Sequence, residues 1–111
     1  MRAGELRHRI ALDYPVSTQN STGESEITWV ELGSFWASVK PLRGKESLMV
    51  DQTLADIDTR VRIRWSPNTD QVTEKWRLRH QDLIYDIKSV ARVDFGQRLI
   101  ELMCRSGVTK G

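Results

Sequence analysis

Ile57-Asp-Thr-Arg-Val-Arg-Ile-Arg-Trp65 alternates so that Val61, Ile63 and Trp65 fall on one face of a strand and Arg60, Arg62 and Arg64 on the other. The first set asks for a core. The second sets its guanidinium groups about 6.5 to 7 Å apart along the strand, a row that suits solvent, partner carboxylates or phosphate but not an apolar interior. What this row meets is the main question that the sequence raises.

The segments to either side read mostly as further short strands. Leu6 to Tyr14 alternates Leu6, His8, Ile10, Leu12 and Tyr14 against Arg7, Arg9, Ala11 and Asp13, a first strand expected to stop at Pro15. Val16 to Ser25 is almost wholly polar and is expected to be a long mobile loop, 16–25, between strands one and two. Strand character resumes from Glu26 to Leu32, and Gly33-Ser34 reads as a turn. From Phe35 to Lys40, Phe35, Ala37 and Val39 share a face with Trp36 opposite, and Pro41, which has no N–H to donate, ends the ladder. Arg43 to Leu54 is the one segment expected to be helical. After the arginine strand, Ser66-Pro67-Asn68-Thr69-Asp70 is a turn cluster, followed by strands at Lys75 to Arg79, Leu83 to Ala91 and Arg98 to Cys104. His80-Gln81-Asp82 and Asp94-Phe95-Gly96-Gln97 join them, with Gly96 placed where a positive φ is needed. Residues 106–111 read as a loose tail. The expected fold is mainly β: a small antiparallel β-barrel or sandwich of about six to seven strands, with one short helix, in a single domain over 1–111.

Composition narrows the function classes. A chain of 111 residues and 12.8 kDa supports a modest core, and a mean hydropathy of -0.48 with 29% charged residues leaves a large wetted surface. A formal charge of +2 argues against a nucleic-acid binder that works by bulk charge. The distribution is more telling: between Asp13 and Asp58, eight acids outnumber Lys40, Arg43 and Lys45, whereas bases dominate from Arg60 onward. Such polarity suits head-to-tail contact between copies, the plainer account being a solvated mixed surface. Cys104 stands alone in an apolar run and reads as a small buried hydrophobe in a reducing setting. No charged start with an apolar run after it, and no apolar stretch near the ~20 residues that span a bilayer, points to secretion or a membrane.

Chemistry-bearing patterns are sparse. His8 and His80 belong to no metal-ligand spacing, and no nucleophile elbow, Walker loop, dinucleotide fingerprint or zinc-protease helix occurs. Asp82 and Asp86 read as solubilising charge rather than an acid–base pair. Catalysis, a cofactor and a resident metal are therefore not expected. Trp29, Trp36, Trp65 and Trp76 are many for so short a chain, and their simplest use is to fill a small β core. Trp36 is the exception, because it alternates away from Phe35, Ala37 and Val39 and so faces solvent or a neighbour. For the arginine row the plain alternative is pairing with cross-strand acids such as Glu74 or Asp86.

Taken in order, Met1-Arg-Ala-Gly-Glu-Leu-Arg-His-Arg-Ile10, Thr28-Trp29 after a polar gap, Phe35-Trp-Ala-Ser-Val-Lys-Pro-Leu42, Thr59-Arg-Val-Arg-Ile-Arg64 and Leu99-Ile-Glu-Leu-Met-Cys-Arg105 resemble the head closure, or head–tail joining, proteins of tailed bacteriophages and prophages. The resemblance implies a structural virion protein of the head–tail connector. Identical subunits would form a ring, of about twelve copies on the portal, beneath the portal and its adaptor, and present a surface to a tail terminator or tail completion protein. It also implies a virion location after a stage in the host cytoplasm, with transient contact with packaged DNA. The family's fold is similar to a small β-barrel with a long loop and a short helix, in agreement with the strand reading. Interface candidates are Trp36, Arg43 and Lys45, with Arg60, Arg62 and Arg64 as inter-subunit ion-pair formers or channel-facing groups. The rival is an oligonucleotide-binding β-barrel that takes single-stranded nucleic acid on Trp65 and Trp76 beside the arginine row.

Overall fold

The arginine strand becomes β3 (Thr59–Arg64), and its neighbours show why one face is buried. The structure, a computed structural model, describes residues 6–42, 57–94, 96 and 98–108. Around β3 these contain β1 (His8–Gln19), β2 (Ser25–Pro41), β4 (Arg77–His80), β5 (Leu83–Asp94) and β6 (Arg98–Val108). Every adjacent pair is antiparallel, and the order β1-β2-β3-β6-β5-β4 closes on itself into a barrel. Closure gives each strand in the barrel a neighbour on both sides, so the backbone groups of its wall are bonded without an open edge.

The core is the inward set of the alternating strands. Ile10, Leu12, Ala37, Val61, Ile63, Leu78, Tyr85, Ile87, Ile100, Leu102 and Cys104 pack together, and Leu32, Phe35, Val39, Trp65, Trp76 and Val90 lean on the cluster. Val72, just past a short 3-10 turn (Thr69–Gln71), also joins it. That turn is held by Thr69, whose buried hydroxyl donates to the carbonyl of Arg64 at 3.0 Å and accepts from the amide of Ser66 at 2.8 Å. The expected turns are in place: β4 and β5 are joined through Gln81 and Asp82, and Gly96 has φ +85° between β5 and β6.

Three expectations about the strands are corrected. Pro15 does not end β1, which runs on to Gln19 with Pro15 opposite Trp29. β4 borders β1 only from Ala11 to Asp13, so beyond that point β1 has one open side, where a residue without an N–H is tolerated. Glu26–Leu32 and Phe35–Lys40 are one strand, β2, and Gly33-Ser34 is not a turn: the register passes from Leu12↔Gly33 to Asp13↔Glu31, leaving Leu32 as a bulge. The loop expected over 16–25 consequently shrinks to 20–24. Val16–Gln19 pairs with Ser25–Thr28, and β1 and β2 continue past the bulge as a two-stranded arm. Its polar residues build the tip: the Asn20 side-chain oxygen accepts from the Thr22 and Glu24 amides, both at 3.0 Å, and Gly23 takes φ +87°.

Of the tail expected over 106–111, residues 109–111 lie outside the described residues and 106–108 instead continue β6. Asp58 accounts for this, accepting from the amide and the hydroxyl of Ser106, each at 2.9 Å. The helix expected over Arg43 to Leu54 lies outside the described residues.

Candidate functional site

β3 points Arg60, Arg62 and Arg64 outward, but they do not meet the same surroundings. Arg62 stands opposite Glu101 on β6, to which it donates from Nε at 2.9 Å and from Nη2 at 2.8 Å, while Arg60 Nε lies 4.0 Å from the same carboxylate. A cross-strand acid thus pairs with Arg60 and Arg62, and it is Glu101 on β6, which the sequence did not single out. Arg64, at the end of β3, is exposed and opens onto a groove.

That groove, about 290 Å³, runs between the start of the barrel portion of β2 and the end of β3, with Arg9, Phe35, Trp36, Arg64 and Trp65 along it. Trp36 is exposed as the alternation demands, at 54%, because Ala37 beside it is fully buried. Arg9, paired with Trp36 across β1 and β2, sets its guanidinium carbon 4.9 Å from the centre of the indole. Trp65 also lines a second hollow of about 230 Å³ with Arg92, Asp94 and Arg98, and Arg98 lies 4.8 Å from its ring centre. The Trp65 indole N–H donates to Asp70 at 3.0 Å, and Arg92 donates to the same carboxylate at 2.6 Å. These bonds, that of Arg92 foremost, hold the Asp70 carboxyl below its ordinary range. Of the sequence candidates, the fold brings Trp36 and Arg64 together and ties Arg62 to Glu101; Arg43 and Lys45 fall outside the described residues.

At the root of the arm lies a cluster that no sequence motif announced. Asp13 is 3% exposed and accepts from Arg77 Nε at 2.9 Å, Arg79 Nε at 2.8 Å and Arg79 Nη2 at 2.9 Å. Arg79 Nη2 also donates to Glu31 at 2.6 Å. Burial pushes the Asp13 carboxyl up, but the bonds from Arg79 and Arg77 outweigh it and the net shift is downward; that of Arg79 is upward, through its bonds to Asp13 and then to Glu31. Arg77 lies 4.5 Å from the ring centre of Trp29. Trp29 does not fill the core as expected: it lies on the arm at 37% exposure, beyond the reach of the barrel interior. The only hint in the sequence was an aspartate in an outward position of an alternating strand, with its partners more than sixty residues away.

His8 and His80, remote in sequence, come together edge to face with ring centres 5.1 Å apart. Burial, then the charge of His8, lowers the pKa of His80. Among the described residues no group of three or more His, Cys, Asp or Glu side chains is placed to hold a metal ion. Cys104 is buried as expected, and desolvation pushes its thiol far up, away from the reactive thiolate.

The closed barrel thus exposes Trp36 and Arg64 on its outer wall and projects a paired arm that carries Trp29 and Ile27. The phage head completion protein profile matches residues 1–107, almost the whole barrel and its arm. The chain belongs to this family. Phage head completion proteins are structural proteins of the virion head rather than an enzyme family, so the chain has a structural role in a phage head. The fold is similar to the solution structure of protein SF1141 from Shigella flexneri 2a, with a TM-score of 0.78 and 27% identity over 99% of this chain and 100% of that one. It is also similar to a chain from the virion of a native gene transfer agent particle, with a TM-score of 0.65 and 19% identity over 94% of this chain and 97% of that one. No curated protein matched significantly.

Proposed function

We propose that this head completion chain is a connector subunit. Copies form a ring beneath the portal and its adaptor, close the DNA-filled head and offer the surface to which a tail terminator or tail completion protein attaches. Before assembly the subunits wait in the host cytoplasm. The observation that carries the reading is the family match over residues 1–107, and the geometry supports it: the large apolar side chains Ile27, Trp29 and Trp36 lie exposed on the arm and outer wall, where a partner can reach them. Trp36 and Arg64 are the contact residues of this reading. Arg60 and Arg62 stiffen the wall through Glu101, so charge reversal at Arg62 would set two carboxylates face to face and disturb the barrel itself.

The rival reading needs Trp65 and Trp76 as stacking platforms. Both rings instead pack against the core, Trp65 bonded to Asp70 and Trp76 tilted against Tyr14 with ring centres 5.3 Å apart. The test is electron microscopy of lysates from phage that lack this chain. Filled heads and free tails should accumulate unjoined, and finished particles in their absence would overturn the proposal.

A further inference from the structure

Two surfaces of one molecule carry complementary chemistry. The arm, from Asp13 to Glu31, contains Asp13, Glu24, Glu26 and Glu31 and no lysine or arginine. Asp13 and Glu31 are engaged at its root by Arg77 and Arg79, while Glu24 and Glu26 are exposed near the tip beside Ile27, Glu26 accepting from Asn20 Nδ2 at 3.1 Å. Ile27 is the most exposed large apolar residue among those described, at 65%. The groove presents the converse: the exposed cations Arg9 and Arg64 flank Trp36.

We propose that the arm tip of one copy docks in the Arg9–Trp36–Arg64 groove of the next, and that this contact links the connector ring. The inference rests on the ring reading above and names the surfaces that meet. A chain cannot fill its own groove in this way. The groove lies on the barrel side of the Leu32 bulge, whereas the paired register holds to Gln19↔Ser25, which carries the tip about 20 Å away from the root at ordinary strand rise. A hydrogen-bonded ribbon does not double back on its own root. Donor and acceptor surfaces on one chain make a head-to-tail contact, the type that closes rings when the rotation permits.

Carboxylates from Glu24 and Glu26 would meet the guanidinium groups of Arg9 and Arg64, and Ile27 would cover the Trp36 indole, which removes from water two of the most exposed apolar side chains on the molecule. The tip is already shaped by Asn20, so little ordering is needed on docking. One such contact is much smaller than the ~1,200–2,000 Å² of a stable interface, so free copies stay apart until a docking platform gathers them.

Site-specific cross-linking tests this. Particles are assembled from an equal mixture of Ile27→Cys and Trp36→Cys chains and oxidised; Cys104, being buried, does not compete. Disulfide-linked dimers are expected from the mixture, a ladder of higher multiples from the doubly substituted chain, and no product when Leu83→Cys, exposed elsewhere on the barrel, replaces Trp36→Cys. In parallel, Glu26→Arg and Arg64→Glu should each lower the yield of joined particles about tenfold, and the two together should recover it to within about threefold. Particles that contain both cysteine variants without cross-links, a link from Trp36→Cys to a different virion protein, or a charge swap that fails to recover would each overturn the arm-to-groove contact while leaving the connector reading intact. Joined particles that never contain the chain would remove both.

Discussion

β1 and β2 each pass through two environments, and the contrast separates stability from recognition. In the barrel, Ile10, Leu12 and Ala37 are 1%, 0% and 0% exposed; in the arm, Val16, Ile27 and Trp29 are 37%, 65% and 37% exposed, although the same two strands pair throughout. The ladder is common to both regions. What differs is the number of neighbours: β4 borders β1 only at Ala11 to Asp13, and β3 borders β2 only from Ala37 to Pro41. Within the closed wall, and at Ile10 and Phe35 on its margin, apolar residues meet the core. In the arm, past the Leu32 bulge, they meet water.

The largest effect that would sharpen this contrast is Leu12→Ala, which empties a fully buried position and should cost about 2–5 kcal/mol in urea denaturation. A loss as small as that of a surface substitution would mean that the barrel end next to the arm is not packed as described.

Asp13→Asn acts at the boundary between the two regions. It leaves Arg77 and Arg79 without their shared carboxylate and should cost about 2 kcal/mol near neutral pH, a modest value because both arginines keep part of their hydration. Its pH dependence is diagnostic. The folded carboxyl lies below its ordinary value of 3.8, so its contribution is complete above that pH and is lost as the pH falls through the folded value. The gap between wild type and Asp13→Asn should therefore shrink on acidification below pH 4, and a gap that widens there would refute the assignment.

The smallest effect on stability is expected in the arm. Ile27→Ser should change the unfolding free energy by less than about 0.5 kcal/mol, since the side chain is already in water. It should nonetheless reduce the yield of joined heads and tails. A destabilisation comparable to that of Leu12→Ala would make the arm part of the core and dissolve the comparison.

Period-two alternation made the barrel legible wherever a strand is half buried. Val61 and Ile63 were read inward and Arg60, Arg62 and Arg64 outward from nine residues, and Phe35, Ala37 and Val39 were separated from Trp36 in the same way. The method failed at Pro15 and over 16–25 because it takes polarity and proline as the end of a strand, whereas a ribbon exposed on both faces has no core to impose alternation. It misjudged Trp29 for a related reason: composition supplies the ring but not its address. Of the groove, Trp36 and Arg64 were visible as outward residues, but their meeting depends on β2 and β3 lying side by side, and Arg9 joins them only through the pairing of β1 with β2.

Local covalent chemistry thus decided by itself that this protein is a small antiparallel β structure with a basic outward stripe and a bare Trp36, because side-chain direction in a strand is set by the backbone over a few residues. Which charges are engaged was decided only by the closed barrel. Arg62 met Glu101, and Asp13 met Arg77 and Arg79, through pairings across 39 to 66 residues of chain, and an acidic arm was separated from a cationic groove because the strands outrun their neighbours on one side of the barrel.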